Sequence, residues 1–416
     1  MSINNTNEEN NVIVGLDIGT SKVVAIVAAA LPDGQLDIIG IGSHPSRGMR
    51  KGIVVNIDAT VQSVQRAIEE AELMAGCQIR SVYTSISGNH ISSFNSHGFV
   101  AVKGGEVTKD DVARVVDAAR AVSIPAEQKI LHVLPQEYTV DHQNGIIDPV
   151  GMSGMRLEGK IHIVTAAVSA AQNVINCVRR CGLEVDDIIL GQLADSYSIL
   201  TDDEKQLGVC LIDIGAGTTD IAVYVDGALR HSAVIAVAGD QVTNDLAVAF
   251  RTPHNNAEAI KVKNGCAYQR LADKSKIVKL PSVGQNDEQA ITQVDLASVI
   301  EPRFEELFAL ILNELQHSGW DGLLSAGIVL TGGSAKMPGL LELAADVFQA
   351  HVRLGLPRYA VQMPSALHNS SYATAVGLVL YGQKAQDNAV PRADIKRNLN
   401  FNNLLGRMKN WFQGNF

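Results

Sequence analysis

Apolar and polar residues follow one another in an order that predicts two similar β-hairpins, each with a polar loop between its strands. The first loop is Asp17–Lys22 and the second is Asp213–Asp220. Apolar segments flank both loops, as expected for buried strands: Asn11–Leu16, Val23–Ala30, Gly208–Ile212 and Ile221–Val225. Because the same strand–loop–strand unit occurs twice, the sequence predicts two related half-molecules.

Helical periodicity is found between the hairpins. Apolar residues recur at helical spacing in Ala59–Gly76 and again in Ala170–Gly182, and each segment ends at a glycine. Strands that alternate with helices indicate a mixed α/β fold. Residues 84–163 depart from this order, with short β-like segments and a helix at Lys109–Val122, and they predict a small inserted α+β subdomain.

Composition and charge narrow the class of protein. The chain has 416 residues, of which 46% are hydrophobic and 19% charged, so it can form more than one packed core. Its formal charge is −10, and because Lys and Arg hold a phosphate backbone, we expect no nucleic-acid partner. The N-terminal residues do not resemble a secretory signal, and no segment approaches the ~20 apolar residues of a spanning helix. We therefore expect a cytoplasmic body that does not cross a membrane.

The two polar loops have the composition of phosphate-binding turns. Glycines beside Ser or Thr after a buried strand let several backbone N–H groups point into one concavity, where hydroxyl groups add further donors. Asp17 and Asp213, at the ends of the strands, suit a Mg²⁺ ion held through its waters, and Lys22 adds a cation for phosphate. One such turn alone is more often an ordinary hairpin, but two copies in the same context favour phosphate binding. The candidate phosphate-binding residues are Gly19, Thr20, Ser21, Lys22, Gly215, Gly217, Thr218 and Thr219.

A third glycine-rich turn follows later in the chain. A buried strand, Ile328–Thr331, leads into Gly332 and Gly333, and a helix is predicted from Gly339 to Ala350. Glycines at this turn would let the backbone approach a flat nucleoside closely. The alternative is a simple strand-to-helix turn, which the order and spacing of the three loops disfavour. The candidate nucleoside contacts of this turn are Gly332, Gly333, Ser334 and Met337.

Four segments carry a resemblance to a known family. They are VGLDIGTSK at Val14–Lys22, GVCLIDIGAGTTDIAVY at Gly208–Tyr224, AEAIK at Ala257–Lys261 and IVLTGGSAKMPG at Ile328–Gly339. In this order they resemble the actin, Hsp70 and sugar-kinase superfamily and, within it, the FtsA family of bacterial cell-division proteins over nearly the full length. The resemblance implies a duplicated actin-like (ribonuclease H-like) ATPase fold that binds ATP and Mg²⁺.

The resemblance also implies a division into subdomains. Subdomain 1A would comprise residues 1–83, 164–204 and 361–381, subdomain 1C residues 84–163, subdomain 2A residues 205–240 and 305–360, and subdomain 2B residues 241–304. It places Gly239, Asp240, Glu258 and Lys261 near the nucleoside. Glu258 and Lys261 lie one helical turn apart and can face one ligand, although without the family such a pair is more often a solvated ion pair.

One departure from the superfamily concerns hydrolysis. In actin and the chaperones, a Glu or Gln after the strand that precedes the second loop orients the attacking water. Gly191 stands at that place here, and we expect the neighbouring Gln192 to point elsewhere. Because water positioning is a main contribution to phosphoryl transfer, we expect ATP binding with slow hydrolysis at most.

The C-terminal segment predicts a membrane anchor. Residues 382–398 have the composition of a flexible linker, and residues 399–416 form an amphipathic helix on a helical wheel. Its apolar face, within an arc of about 120°, is Phe401, Leu404, Leu405, Met408, Trp411 and Phe412. Basic residues that can face anionic lipid are Lys396, Arg397, Arg407 and Lys409. The alternative is a helix docked on the protein's own core, which the linker disfavours.

Together these features predict an adaptor rather than a metabolic enzyme. The resemblance implies that the protein polymerises, that subdomain 2B binds the C-terminal peptide of the tubulin-like FtsZ, and that subdomain 1C contacts later division proteins. It implies a peripheral location on the cytoplasmic face of the inner membrane, at the division site. The alternatives of the same fold are a pilus-assembly actin-like ATPase, a small-molecule kinase and a chaperone. Neither the pilus protein nor the kinase explains the predicted lipid-binding tail, and a chaperone would need a substrate-binding domain after the ATPase body.

Overall fold

β-Strands form the centre of both halves of the molecule. The computed structural model describes residues 12–31, 34–281, 288–358 and 364–387. In chain order, the strands are Val12–Ile18 (β1), Lys22–Ala30 (β2), Leu36–Pro45 (β3), Met49–Arg50 (β4), Ile53–Val54 (β5), Ser81–Ile86 (β6), Ser92–Ala101 (β7), Gln128–Val140 (β8), Gln143–Ile146 (β9), Arg156–Ala167 (β10), Glu184–Leu190 (β11), Val209–Ile214 (β12), Thr219–Val225 (β13), Ala228–Ile235 (β14), Ile277–Pro281 (β15), Glu288–Thr292 (β16), Ile328–Thr331 (β17) and Val352–Leu354 (β18).

Two five-stranded sheets have the same topology, in the order β11-β6-β1-β2-β3 and β14-β13-β12-β17-β18. In each, a meander of three antiparallel strands continues into parallel strands beside its first member: β1 pairs parallel with β6, and β12 with β17. The two polar loops therefore occupy equivalent positions, at the end of β1 and at the end of β12. The predicted duplication is confirmed.

Helices cover both faces of the two sheets. They are Ile57–Ala75 (α1), Lys109–Arg120 (α2), Val168–Arg180 (α3), Gly191–Ile199 (α4), Asp202–Leu207 (α5), Gly239–Ala249 (α6), His254–Asn264 (α7), Gln293–Ser318 (α8), Leu340–Phe348 (α9) and Ala373–Asp387 (α10). One core packs α1 and α3 against the first sheet, and another packs α8 and α9 against the second. Helices α4 and α10 contact each other, and both take part in cores of the first and the second sheet. They form the joint between the halves.

The inserted subdomain 1C is a four-stranded antiparallel sheet, β7-β10-β8-β9, covered by α2. Helix α2 begins with a reciprocal cap, in which Thr108 accepts from the Asp111 N–H and Asp111 accepts from the Thr108 N–H. The predicted α+β character is confirmed. The predicted start of 1C at residue 84 falls inside β6, a strand of the first sheet, so the insertion leaves the sheet only after Ile86.

The predicted subdomain 2B, residues 241–304, lies in the chain between β14 and β17. These residues include all of α6 after its first two residues, α7, the two-stranded sheet β15-β16 and the first half of α8. The predicted boundary after residue 304 falls inside α8, which runs without interruption from 2B into the core of 2A. One long helix therefore joins the two subdomains.

The last described helix corrects the prediction of a linker. Helix α10 continues to Asp387, so the first six residues of the predicted linker 382–398 are helical. The rest of that linker and the predicted amphipathic helix, residues 399–416, lie outside the described residues. Among the helices of the described ranges, none is long and apolar enough to span a membrane.

Candidate functional site

A cleft of about 360 Å³ lies between the two halves. That volume falls within the usual range of small-molecule and cofactor sites. Both polar loops line it, together with the end of β6, helix α7, the turn after β17 and the segment before α10. Each half of the molecule therefore provides one wall of the cleft.

The two polar loops are closed by the same hydrogen bond. The Gly19 N–H donates to the Lys22 carbonyl at 3.1 Å, and the Gly215 N–H donates to the Thr218 carbonyl at 3.0 Å. The loops also face each other closely, since a Cβ atom added at Gly217 would lie 2.6 Å from Thr20 Oγ1. A glycine is needed there for this approach. The arrangement aims both loops at one space, as an anion bound by two turns requires.

The glycine turn after β17 completes the wall beside the second loop. Gly332 has φ +90°, and an added Cβ would lie 2.0 Å from Asp213 Oδ1, so only glycine fits this position. The Ser334 hydroxyl donates to the Gly215 carbonyl at 2.8 Å and fixes the two turns to each other. The sequence placed these turns far apart in the chain, and the parallel pair β12-β17 brings them together.

Glu258 and Lys261 form an ion pair on α7, in which Lys261 is buried and Glu258 is partly exposed. The Lys261 ammonium is 2.6 Å from Glu258 Oε2 and donates to the Gly239 carbonyl at 3.0 Å and to Thr243 Oγ1 at 2.8 Å. Lys261 is 7% exposed, so the simple alternative of a solvated ion pair does not describe it. Both side chains line the cleft, where Glu258 can accept from a hydroxyl group of a ligand.

Lys22 is the cation of the first loop. Its ammonium donates to Ser371 Oγ at 3.1 Å and lies 3.5 Å from the centre of the Tyr372 ring. Burial lowers the pKa of Lys22 to about 8, while Asp17 raises it and Lys336 lowers it further. A bound phosphate would favour the charged form further because it would add negative charge beside the ammonium.

Four carboxyl groups lie around the floor of the cleft. Burial raises the pKa of Asp213 to about 7, with Asp17 adding to the increase, and raises that of Asp220 to about 8, with Asp213 adding to it. Burial and these neighbours raise the pKa of Asp195 as well, and burial raises that of Asp17 against a hydrogen bond from Ser85. Burial is the main cause at each of these carboxyl groups, so a cation bound beside them would favour their ionised form.

Two of these carboxyl groups fit a divalent cation. Asp17 and Asp213 both line the cleft, and the buried Asp213 Oδ1 has no hydrogen-bond partner among the described residues. Hard oxygen donors of this kind suit Mg²⁺, which usually keeps most of its waters. Within the described ranges, no group of three or more His, Cys, Asp or Glu side chains is arranged to hold a metal ion directly.

The structure brings most of the predicted ligand contacts together. Those that line the cleft are Asp17, Gly19, Thr20, Ser21, Lys22, Asp213, Gly215, Gly217, Thr218, Glu258, Lys261, Gly332, Gly333, Ser334 and Met337. Three others lie behind its wall. Thr219 donates to the Val237 carbonyl at 2.8 Å, and the N–H groups of Gly239 and Asp240 donate to the Gly215 and Ala216 carbonyls. These three support the second loop rather than face the space.

Several cleft residues were not predicted from the sequence. Ser85 and Ser87 at the end of β6 donate to Asp17 Oδ1 at 2.7 Å and to Asp220 Oδ1 at 2.6 Å. Lys336, Thr374, Ser370 and Ser371 also line the space. The signal for Ser85 and Ser87 was their place at the carboxyl end of a parallel strand, where ligands bind in α/β sheets. The three residues before and at the start of α10 had no such signal.

Gly191 leaves space where the superfamily has a Glu or Gln. A Cβ atom added at Gly191 would lie 3.6 Å from Asp220 Oδ2, which is ordinary contact. Gln192 does not line the cleft, and its amide donates to the Ala233 carbonyl at 3.3 Å. The predicted orientation of Gln192 away from the ligand space agrees with this position.

Comparison with known proteins decides the family. A family model described as cell division protein FtsA matches residues 210–377, and a model of the SHS2 domain inserted in FtsA matches residues 88–165. The cell division protein FtsA of Pseudomonas aeruginosa is 54% identical over 413 residues, which are 98% of this chain and 99% of that protein. The chain belongs to the FtsA family. This membership settles the choice against the pilus protein and the kinase that the sequence motifs alone left open.

Solved structures of other families share the fold of this FtsA family member. The PilM–PilN type IV pilus biogenesis complex has a TM-score of 0.66 at 20% identity and covers 89% of this chain and 98% of its own. MreB5 of Spiroplasma citri bound to AMPPNP has a TM-score of 0.58 at 15% identity and covers 91% of this chain and 98% of its own. At these identities the likeness concerns the fold alone, and it confirms the predicted actin-like class.

Proposed function

We propose that the cleft binds ATP with Mg²⁺. The observation that carries the proposal is the pair of equivalent phosphate loops, which face each other across one space at the Thr20–Gly217 contact. Backbone N–H groups and hydroxyls of the two loops would hold the phosphates, and Lys22 would offset part of their charge. Asp17 and Asp213 would hold Mg²⁺ through its waters.

The nucleoside would lie on the other side of the cleft. Gly332 and Gly333 allow close approach of a flat base or ribose, and Met337 adds an apolar surface. Glu258 can accept from ribose hydroxyls, since its carboxylate is held in place by the Lys261 ammonium and by the Thr243 hydroxyl, which donates to it. AMPPNP bound to the MreB5 neighbour, whose fold is the same, agrees with a nucleotide as the ligand.

Hydrolysis of the bound ATP would be slow. A side chain at position 191 would be needed to hold a water molecule against the terminal phosphate, and Gly191 has none. ATP would act mainly by joining the two halves, because the residues that bind it are divided between them. The protein would then cycle between assembly states rather than turn over a metabolite.

The membrane attachment rests on the C-terminal segment. Its apolar face, with Trp411 and Phe412, would enter the headgroup region, and Lys396 and Arg397 would attract anionic lipid. One short helix binds marginally, so polymerisation of the body would provide avidity. By its family, the polymer would hold the FtsZ ring to the inner face of the membrane, with FtsZ's C-terminal peptide on 2B and later division proteins on 1C.

Co-sedimentation with anionic liposomes tests this function. We compare the intact chain, a chain that ends at Asp387, and Trp411→Glu, each with and without ATP and Mg²⁺. The truncation is placed after α10 so that the folded body stays complete. We expect only the intact chain to pellet with lipid, and more so with ATP.

Equal pelleting of all three proteins would contradict the membrane role. If the intact chain pellets equally with and without ATP, lipid binding is supported and control of it by nucleotide is contradicted. Trp411→Phe is the matched control, because it keeps an aromatic residue on the apolar face and should still pellet.

A further inference from the structure

Subdomain 1C contacts the half of the molecule to which it is not attached. It is inserted in the first half, between β6 and α3, yet β7, β8 and β10 all contact β14, the edge strand of the second sheet. We call this contact the seam. It consists of Ser93, Asn95, Gln136, Glu137 and His162 of 1C with residues 229–232 of β14.

The seam is a set of short hydrogen bonds to one stretch of strand. The Ser93 hydroxyl donates to the Ser232 carbonyl at 2.7 Å, and the Gln136 amide donates to the Leu229 carbonyl at 2.9 Å. Asn95 Nδ2 donates to the Arg230 carbonyl at 3.2 Å. These bonds give β14 partners on the edge that no strand of its own sheet covers, which would otherwise be open.

A buried histidine occupies the centre of the seam. His162 is 1% exposed, with Nδ1 2.7 Å from Asn95 Oδ1 and Nε2 3.0 Å from Ser232 Oγ. Burial lowers the pKa of His162 to about 3, with His231 and His132 adding to the decrease. The neutral ring can therefore donate to the amide oxygen and accept from the serine hydroxyl at once, and all its polar atoms are satisfied.

Charged side chains close the seam at its end. Arg230 is 5% exposed, and its guanidinium is 3.3 Å from Glu137 Oε2, while Lys160 pairs with the same carboxylate at 2.5 Å. The buried guanidinium is also 3.1 Å from Asp226 Oδ2, so it is paired with a carboxylate of its own half as well as with one across the seam. The seam therefore resembles a buried interface within a folded protein rather than a loose contact between two exposed surfaces.

Strand β8 also reaches the joint between the halves. Four residues before Gln136, His132 accepts a hydrogen bond from the Leu190 N–H at 3.0 Å through Nε2. Leu190 ends β11 and precedes α4, the helix that packs on both sheets. One strand of 1C is therefore hydrogen-bonded to the joint at one point and to the far half at another.

The seam lies close to the second phosphate loop through β13. Ser232 pairs with Ala222 in the β13-β14 register, and Asp220 pairs with Val234. Asp220 in turn accepts from Ser87 of the first half across the cleft at 2.6 Å. A rotation of the second half that opened the cleft at Ser87–Asp220 would move β14 relative to 1C as well, because β13 and β14 belong to one sheet.

We infer that subdomain 1C is a built-in restraint on cleft opening, with the seam as its point of attachment to the second half. The inference extends the proposed nucleotide binding. Its consequence for nucleotide affinity depends on that proposal, whereas the restraint itself does not. Opening the cleft breaks or strains the seam, so the seam favours the closed arrangement. By linkage, a partner that binds 1C and loosens the seam would weaken nucleotide binding, and nucleotide would strengthen the seam by the same factor.

The test uses a seam variant and a matched control. Ser93→Ala with Gln136→Met removes three hydrogen bonds to β14, from Ser93 to the Ser232 carbonyl and from Gln136 to the Leu229 and Arg230 carbonyls, and keeps the volume of the glutamine. The control, Ser96→Ala with Gln172→Met, removes a Ser96 bond to Ala119, also 2.7 Å long and on the same strand, and a Gln172 bond to Asn176. The control bonds lie within one half, so they do not resist opening.

Two measurements are made on the full-length chain. Hydrogen exchange of the nucleotide-free protein should be faster in residues 213–220 and 228–235 of the seam variant than in the control. Dissociation of a fluorescent ATP analogue with Mg²⁺ should be at least about fivefold faster in the seam variant, because loss of these hydrogen bonds removes that much resistance to opening. The control should keep the wild-type exchange and dissociation rates.

The outcomes separate the two proposals. If wild-type protein does not bind the analogue, nucleotide binding falls, while exchange of the nucleotide-free protein still tests the restraint. Exchange and dissociation equal to those of the control, in a seam variant with a normal melting temperature, would overturn the restraint. If the seam variant fails to fold, the single change Ser93→Ala is compared with Ser96→Ala, and equal exchange at β14 would overturn it.

Discussion

The carboxyl groups of the cleft are held in an unfavourable environment when no cation is bound. Asp220 is 4% exposed, and burial, with Asp213 and Asp17 adding to the increase, raises its pKa from 3.8 to about 8. Between these two values the unfolded chain has lost the proton and the folded protein still holds it. Stability therefore falls as pH rises from about 4 to about 8, and the loss is constant above that range.

This predicts a pH-dependent gain from removal of the charge. Asp220→Asn keeps the shape of the side chain and cannot ionise, so its stability does not fall in this way as the pH rises. In Mg²⁺-free and nucleotide-free buffer, we expect its melting temperature to exceed that of wild type by several degrees at about pH 8.5 and by much less at about pH 5. The exposed Asp37→Asn serves as control and should show no such trend. A difference that is the same at both pH values would contradict the raised pKa.

Gly191 allows a prediction for catalysis. Since a Cβ atom there makes only ordinary contact with Asp220, the space accepts a side chain. We expect Gly191→Gln to raise the single-turnover rate of ATP hydrolysis by about tenfold or more, because the amide can hold a water near the terminal phosphate. Gly191→Ala is the control for the backbone change and should leave the rate as it is. Unchanged hydrolysis with unchanged ATP affinity would show that water positioning is not the limiting factor.

Among individual residues, the sequence predicted those that lie within one continuous motif. Each phosphate loop is one continuous segment with its own glycines and hydroxyls, so Thr20 and Thr218 could be found without the fold. Ser87, Asp195 and Asp220 meet only because β6, α4 and β13 converge, and no spacing in the sequence records that. Asp195 was missed for a further reason, since a fully buried acid beside other carboxyl groups is contrary to the usual pattern.

Among the elements, α10 shows where composition misleads. The residues after Tyr381 are polar and read as a linker, yet they continue the helix to Asp387. Their polar groups have partners that the sequence does not indicate: Gln383 donates to the Gly34 carbonyl at 2.6 Å, and the Lys384 ammonium lies 5.4 Å from the centre of the Tyr197 ring. The strands and the helices of regular period were predicted well, because burial of one face leaves a clear pattern.

The position of a C-terminal truncation is therefore critical. A chain that ends at Tyr381 loses these contacts and the buried Gly382, whereas one that ends at Asp387 keeps all of α10. We expect the chain ending at Asp387 to melt at the wild-type temperature and the chain ending at Tyr381 to melt several degrees lower. Thermal unfolding followed by circular dichroism measures both. Equal melting temperatures would mean that residues 382–387 add nothing to the stability of the body.

Across the whole molecule, charge is distributed unevenly. The chain carries a formal charge of −10, yet residues 388–416 contain five basic side chains and one acidic. Residues 1–387 therefore carry a formal charge of −14 and are repelled by an anionic surface. A membrane that attracts the C-terminal segment while it repels the body would hold the body at a distance, where its subdomains can contact other proteins.

This asymmetry predicts separate roles for the basic and the apolar residues of the tail. A variant with Gln at Lys396, Arg397, Arg407 and Lys409 keeps the apolar face. We expect it to bind neutral phosphatidylcholine vesicles as wild type does, and to lose at least about a hundredfold in affinity for phosphatidylglycerol vesicles, since each basic residue near such a surface adds about 1 kcal/mol. High salt should bring wild type to the level of the variant. Trp411→Glu should instead weaken binding to both kinds of vesicle. If the charge variant binds anionic vesicles as tightly as wild type does, the basic residues contribute nothing and the apolar face accounts for all of the binding.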